Sequence, residues 1–429
     1  MDLAIGPMPE RRAAAPASSR LTERVVLQVG VALAASFLVL SLVTGGLQIP
    51  GLHGWVAIHL ALAGAATVAI GTFMPHFGVT LAGTRPMPAL LRLAGVLALA
   101  LGMLGVALGR VLLGDHFAAG SGLLVLIGLG LTAWNTYAPM RSGLTRRHPI
   151  VQLTYGVALA DLVVGASLAI LLLFGFKAVA ANWVALKHAH VWLNVFGFVS
   201  LTISGTLIYL YPTMLGTRIR PHPTMVVAVL GLMIGPPLVA LGSALSAAPV
   251  AVAGALTSLA GAIGLLGYGI EIWRRRGKWA NDLAWHELAA RHGLAGMAWF
   301  VVTVATLLVG LARDGVAIPG WGVGAAAVPL IAGWAIQELV GAWGHLLPAV
   351  GPGSMAVKAR QRFLLSRFGT VRVVGWNLGL LLLWPGLGFG IPWLIVAGLL
   401  LFAPAALAAL ALLALALLAA WRPPAVVAE

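Results

Sequence analysis

The sequence contains no cysteine, and this absence excludes several kinds of structure. Disulfide bonds, iron–sulfur clusters and a covalently attached c-type haem all require cysteine sulfur. A metal ion or metal cofactor in this protein must therefore rely on histidine, methionine, tyrosine or carboxylate ligands. Carboxylates are themselves scarce, because the chain has only 11 Asp and Glu residues against 26 Lys and Arg residues.

Charge of either sign is also scarce, since charged residues make up 9% of the chain and hydrophobic residues make up 61%. Long uncharged runs rich in Leu and Ala separate the charges. Only helices or closed barrels satisfy the backbone inside a membrane, and these runs are too long for barrel strands. The sequence therefore predicts an all-α polytopic membrane protein.

Twelve apolar runs are each long enough to cross about 30 Å of hydrocarbon at about 1.5 Å per residue. We place these runs at residues 25–46, 53–76, 88–110, 117–139, 151–176, 184–211, 224–246, 249–273, 288–312, 323–348, 368–388 and 391–421. Together they form a membrane domain, residues 25–421, between short tails at residues 1–24 and 422–429. The first tail lacks the compact apolar core and cleavage site of a secretory signal, and we interpret it as cytoplasmic.

The net charge of +15 follows this topology. With the N-terminus inside, only four of the 26 Lys and Arg residues lie on the outer side: Arg110, Lys177, Lys187 and Arg313. An excess of Lys and Arg in cytoplasmic segments is the usual orientation signal of membrane proteins. We therefore expect a bacterial-type cytoplasmic membrane protein with both termini inside, surrounded by lipid and without a nucleic-acid partner.

A weak internal repeat groups the predicted spans in fours. The second span contains Gly71-Thr72 and the sixth contains Gly205-Thr206, and the interval from Gly341 to Pro348 in the tenth equals that from Gly205 to Pro212. The second, sixth and tenth spans are then equivalent, and the repeats are parallel because each holds an even number of helices. The repeat predicts three pseudo-symmetric four-helix arcs at about 25–139, 151–273 and 288–421.

Two histidines one residue apart, His188 and His190, open the apolar sixth span. On an α-helix they point about 200° apart, so each can address a different cavity at the same depth. His59, at the outer end of the second span, shares that depth. Histidine in lipid is costly unless it is bonded, coordinated or facing water, so these residues are candidate metal ligands or interfacial hydrogen-bonding groups. Asn194, one turn after His190, is a candidate hydrogen-bonding partner of the site.

The residues that follow the histidine pair form a motif: His188, His190, Asn194, Gly197 and the segment from Gly205 to Pro212. This motif resembles the His-x-His helix of haem–copper oxidase catalytic subunit I, particularly in C-type oxidases and nitric oxide reductases. In that family the first histidine binds the high-spin haem and the second binds the low-spin haem. The resemblance implies that His188 and His190 take these places, that His59 is the partner of His190, and that one or two b-type haems are bound.

Two further segments resemble bacterial subunit-I-like membrane proteins, some of them fused to copper-containing enzyme domains: His59 to Ala65 with His76-Phe77, and Leu346-Leu347-Pro348. The chain differs from the oxidases because its His-x-His lies in the sixth span rather than the tenth. It also lacks the motif that supplies their three-histidine copper site. It is equally similar to the NnrS family of haem-and-copper membrane proteins, which is linked to nitric oxide tolerance.

A second layer of polar residues lies deeper or toward the cytoplasmic side. His76, His345 and His292 are candidates for an inner haem or, alternatively, for hydrogen bonds near helix ends. His76 follows His59 by 17 residues, roughly 25 Å along a helix, so both cannot bind one haem. Asp161 and Glu338 are carboxylates deep in predicted spans, which makes them candidates for a proton path or for structural pairing.

These resemblances imply a haem-binding electron-transfer protein that passes electrons to or from a copper or nitrogen-oxide centre outside the membrane. Quinol or an external copper or cytochrome protein is the expected redox partner, and copper is a further candidate metal. One alternative is an oxidoreductase, either a quinol-linked nitric oxide reductase or an NnrS-like nitric oxide handling protein. A haem-free transporter on the same scaffold is the other alternative.

Overall fold

The computed structural model describes residues 17–46, 54–142, 149–219, 221–278, 285–316, 326–351 and 353–421. Helices dominate these ranges, and no residue within them belongs to a strand. Most of the predicted tails, residues 1–16 and 422–429, lies outside the described residues, and the first helix begins at Ala17. The predicted all-α architecture is confirmed for the described chain.

Eleven helices within the described ranges are long and apolar enough to cross a membrane. We number the helices in chain order as α1 (Ala17–Gly46), α2 (Gly54–Ala82), α3 (Ala89–Leu113), α4 (Asp115–Arg141), α5 (Pro149–Phe174), α6 (Trp183–Met214), α7 (Pro223–Ala244), α8 (Ala248–Arg274), α9 (His286–Asp314), α10 (Val328–Ala335 continued by Ile336–Val350), α11 (Met355–Ser366), α12 (Gly369–Phe389) and α13 (Pro392–Trp421). The eleven apolar helices are all of these except α10 and α11. Their number and length define a multi-pass membrane protein.

Helix α10 corresponds to the tenth predicted span and is not among the eleven. It carries Gln337, Glu338 and His345, and all three side chains are buried against other helices. A polar side chain inside a membrane bundle is tolerated where it faces protein rather than lipid. The predicted start of this span, residues 323–325, lies outside the described residues.

Helices α2, α6 and α10 meet at the centre of the bundle. The apolar stretches of α2 and α6 are each 72% buried, more than in any other of the eleven helices. α2 contacts both α6 and α10, and Trp334 Nε1 of α10 donates a hydrogen bond of 3.0 Å to Ser200 Oγ of α6. Phe300 of α9 stacks on Trp334 at 4.4 Å between ring centroids. The three helices that the sequence repeat makes equivalent are therefore neighbours.

Each of these central helices contains a stretch of π-helix: His59–Ala66, Trp192–Ser200 and Val328–Ala335. A shorter one, Gly105–Gly109, lies in α3. A π turn holds more residues than an α turn and often occurs at functional sites. His59 begins the first stretch, and His190 precedes the second by two residues. Both candidate ligands thus lie where the backbone hydrogen-bond pattern changes.

Large apolar side chains cover the outer faces of the surrounding helices. Leu101, Ile127, Leu230 and Leu400 are each more than half exposed to the surroundings. A soluble monomer rarely exposes apolar side chains over so many helices, whereas a bilayer favours them. The apolar exterior of the described chain therefore agrees with helices that are long enough to span a membrane.

Candidate functional site

His59 is held at the start of the π-helical stretch of α2. Its Nδ1 donates a hydrogen bond of 2.8 Å to the Trp55 carbonyl oxygen, and the two rings lie 3.9 Å apart at 31°. The guanidinium carbon of Arg110 lies 4.6 Å from the centroid of the Trp55 ring, and Arg110 Nε pairs with Asp115 at 2.8 Å. These contacts fix the imidazole through Nδ1 and leave Nε2 as the nitrogen that can bind a metal.

His190 is held in a similar way on α6. Its Nδ1 lies 2.9 Å from the Gly165 carbonyl oxygen of α5 and 3.0 Å from the side-chain amide of Asn194. An Nδ1–H group that donates to a carbonyl cannot also accept from an amide nitrogen. The Asn194 amide, whose orientation is an assignment, therefore presents its oxygen to His190. This arrangement again leaves Nε2 as the nitrogen available to a metal.

His59 and His190 lie on two helices that contact each other, α2 and α6. Metal-binding histidines usually donate their other ring N–H to a carbonyl or carboxylate. The structure thus brings together two of the predicted ligands, each with the backbone partner that a ligand requires.

His188 is buried on α6, with only 3% of its surface exposed, two residues before His190. The spacing places the two side chains on different sides of the helix. The described residues contain no group of three or more His, Cys, Asp or Glu side chains that could hold a metal ion. In that part of the chain, His188 therefore belongs to no three-ligand cluster of these residue types.

Asp161 lies on α5 and faces the backbone of α6. A Cβ atom at Gly197 would lie 2.4 Å from Asp161 Oδ2, so the two helices approach this closely because residue 197 is glycine. Asp161 Oδ2 is buried and has no hydrogen-bond partner. Gly165, whose carbonyl contacts His190, is one helical turn further along α5. The predicted carboxylate is thus one turn from the residue that holds His190.

Glu338 lies on a cavity between α2, α6 and α10. The cavity has about 90 Å³ of space for the centres of water-sized groups, and its lining is mostly apolar, with Thr202 and Thr206 among the exceptions. Glu338 is 4% exposed, and its Oε1 has no hydrogen-bond partner. A Cβ atom at Gly296 of α9 would lie 2.3 Å from that oxygen. The second predicted carboxylate therefore occupies a glycine-lined recess beside the central cavity.

The predicted inner histidines lie in different surroundings. The His345 ring stacks on Trp285 at 5.0 Å and 10° and lies 5.4 Å from the ring of His286. His76 is half-buried on α2 beside Phe77. His286 was not predicted as a partner of His345, because the sequence places it near a loop and gives no sign of which helix it meets. The available signal was its position twelve residues after the end of α8, at the start of α9.

The fold and the site together define a multi-pass α-helical membrane protein whose central helices hold buried histidines and carboxylates. A scan against protein-family models gives no match to this sequence, and a search of curated proteins gives none either. The resemblance to haem–copper oxidase subunit I therefore stays a prediction that rests on the residues of the chain itself.

Proposed function

We propose that the protein binds haem b and transfers electrons within the membrane, to or from an external copper or nitrogen-oxide centre. The observation that carries the proposal is the matched fixation of His59 and His190. Each Nδ1 lies at hydrogen-bond distance from a backbone carbonyl, each Nε2 remains available, and the rings lie on contacting helices. Two such imidazoles are the usual donor set for a six-coordinate b-type haem.

The proposed architecture is twelve membrane-spanning helices in three arcs, with α10 as the helix beyond the eleven apolar ones. The contacts of α2 with α6 and α10 support this arrangement, because they join the helices that a four-helix repeat makes equivalent. The π-helical stretches of the same three helices give further support. A haem between α2 and α6 would then have one ligand on each of two central helices, at the same depth in the membrane.

When bound, haem b would supply a reversible one-electron couple. His59 and His190 would hold it, and the Trp55 and Gly165 carbonyls would keep each ring in the tautomer whose Nε2 is free to bind a metal. Quinol or an external copper or cytochrome protein remains the proposed redox partner.

The test is a reduced-minus-oxidised absorption spectrum of protein purified from cells supplied with haem. We expect the bands of a six-coordinate b-type haem, lost in His59→Ala and in His190→Ala because each removes one axial ligand. His188→Ala should keep them, since its side chain points elsewhere. His116→Ala, at an exposed position at the start of α4, is the control.

Three outcomes would contradict the assignment. Protein without haem absorption would overturn the proposal and favour a haem-free transporter. Loss of the six-coordinate bands in His188→Ala but not in His190→Ala would exchange the roles of these two histidines. Unchanged bands in both His59→Ala and His190→Ala would place the haem elsewhere in the protein.

A further inference from the structure

A second cavity lies at the end of the bundle where α9 and α12 begin and α10 ends. It is narrow, with about 20 Å³ of space for the centre of a water-sized group, and α9, α10, α11, α12 and α13 all contribute to its walls. The walls are largely apolar and include Leu288, Val340, Leu365 and Leu413. In the topology predicted from the charges, this end of the bundle is cytoplasmic. The cavity is therefore at the depth of a lipid headgroup.

Two buried nitrogen-bearing side chains line this cavity, Arg372 and His292. Arg372 is 4% exposed and His292 is 1% exposed. One guanidinium nitrogen of Arg372 donates to the Leu365 carbonyl oxygen, whereas its Nε has no hydrogen-bond partner. Neither ring nitrogen of His292 has a partner. Three nitrogen atoms beside the cavity thus lack the partners that buried polar groups normally have.

The charge of Arg372 is also uncompensated. Among the described residues no carboxylate forms an ion pair with it, and Glu287, on the same helix as His292, is paired with Arg291. A buried guanidinium without an acidic partner is costly. Arginine also matches phosphate geometry better than any other side chain. The cavity therefore requires an acceptor group that carries negative charge.

Helix α11, beside the cavity, has the character of a helix that lies in the membrane interface. It carries Lys358, Arg360 and Arg362, while Met355 and Phe363 are 74% and 64% exposed. Arg360 is exposed, whereas Lys358 and Arg362 are half-buried. Basic and exposed apolar side chains on one short helix favour binding at a surface of anionic lipid. Arg362 lies over the ring of Trp285, which is a wall of the cavity, at 5.0 Å. The helix thus joins the cavity to the headgroup layer.

We propose that this cavity binds the phosphate group of an anionic phospholipid, with Arg372 and His292 as its hydrogen-bond donors. The cleft is too narrow for an acyl chain, so the acyl chains stay in the bilayer beside its apolar rim, and α11 holds further positive charge near the cleft. A neutral quinone would leave the guanidinium charge uncompensated, and free phosphate would leave the apolar walls without a partner. An anionic lipid matches both parts of the cavity, and the site is independent of haem binding.

Binding can be measured by native mass spectrometry of the whole detergent-purified protein with short-chain phosphatidylglycerol or phosphatidylcholine. Wild-type protein should bind one phosphatidylglycerol about tenfold more tightly than phosphatidylcholine, the difference expected of a charge-assisted hydrogen bond. Arg372→Gln should lose this preference. Arg141→Gln is the matched control, because Arg141 is exposed at the predicted cytoplasmic end of α4 and away from the cavity.

A second readout keeps the test independent of protein yield. Phosphatidylglycerol should raise the midpoint of thermal unfolding of the wild type, and His292→Ala should reduce the increase while Arg372→Gln abolishes it. Arg372→Gln without lipid should be no less stable than the wild type, since it removes an uncompensated buried charge. Equal binding of both lipids by the wild type, or displacement of phosphatidylglycerol by millimolar inorganic phosphate, would overturn the proposal.

Discussion

At the scale of the residue, Gly165 decides how His190 is held. Its carbonyl oxygen lies 2.9 Å from His190 Nδ1, and a Cβ atom at this position would lie 1.8 Å from the side-chain amide of Asn194 and 3.1 Å from Leu193 Cβ. Gly165→Ala should therefore displace Asn194 and separate α5 from α6, at a cost of about 1–3 kcal/mol in stability. We expect a shifted redox midpoint in a spectroelectrochemical titration and a lower midpoint of thermal unfolding.

Gly130→Ala is the matched control for this substitution. Gly130 is exposed on α4, and a Cβ atom there meets nothing within 4 Å. The redox midpoint should stay at the wild-type value, and helix stability should rise slightly because Ala is the better helix former. Equal shifts in the two variants would show that Gly165 has no particular role.

Some residues of the candidate site could be predicted from the sequence, and others could not. His59, His190 and Asn194 could be selected because histidine is costly in an apolar helix and helical spacing fixes its neighbours along one helix. Gly165 could not be selected, since its role depends on which face of α5 meets α6. Arg372 was counted only as a cytoplasmic charge, although its position as the fourth residue of apolar α12 was a signal of burial.

At the scale of the element, the π-helical stretch Trp192–Ser200 sets the angle between the two halves of α6. Deleting one residue from it, such as Val195, should restore α-helical hydrogen bonding and rotate the segment that carries His190 by about 100°. We expect loss of the six-coordinate haem bands while the amount of protein in the membrane stays constant. Absorption spectra and immunoblots of the same membranes measure the two quantities.

Val195→Ala is the control for the deletion, because it removes a half-buried side chain but keeps the number of residues. It should retain the haem bands. Retention of the bands in the deletion variant would mean that the angle between the two halves of α6 does not matter to the site.

Sequence patterns located the elements but not their internal geometry. The apolar spans were placed within a few residues of most helices because apolar length decides where a chain crosses a bilayer. The end of α2 lies at Ala82 rather than at residue 76, so His76 is within the helix. The π-helical stretches were missed because an apolar run has the same composition in α and π geometry. α11 was not predicted, since a short charged helix gives no span signal.

At the scale of the whole molecule, the crossing of α10 determines the side on which α12 ends. Phe389 is 80% exposed at the end of α12, while His116 and Arg141 are exposed at opposite ends of α4. With twelve spans, a membrane-impermeant maleimide should label Phe389→Cys and His116→Cys from one side and Arg141→Cys from the other. The wild-type chain gives no background because it has no cysteine.

Labelling of Phe389→Cys from the same side as Arg141→Cys would mean that α10 does not cross the membrane.

Composition was sufficient to predict the all-α membrane class, because it excludes other ways to satisfy the backbone in lipid. The repeat predicted that α2, α6 and α10 are equivalent. A repeat does not indicate whether equivalent helices lie at the centre of the helix bundle or at its periphery. Their central position depends on tertiary contacts such as that between Trp334 and Ser200.

The glycine recess that receives Glu338 also bears on how the chain is inserted during synthesis. An acidic side chain at the centre of a lone helix costs roughly 2.5–3.5 kcal/mol on insertion scales, and α10 carries Gln337 and His345 as well. Gly293 and Gly296 offer the carboxylate a place only when α9 already lies beside α10. We therefore expect these two helices to enter the bilayer together, as a hairpin, rather than one after the other.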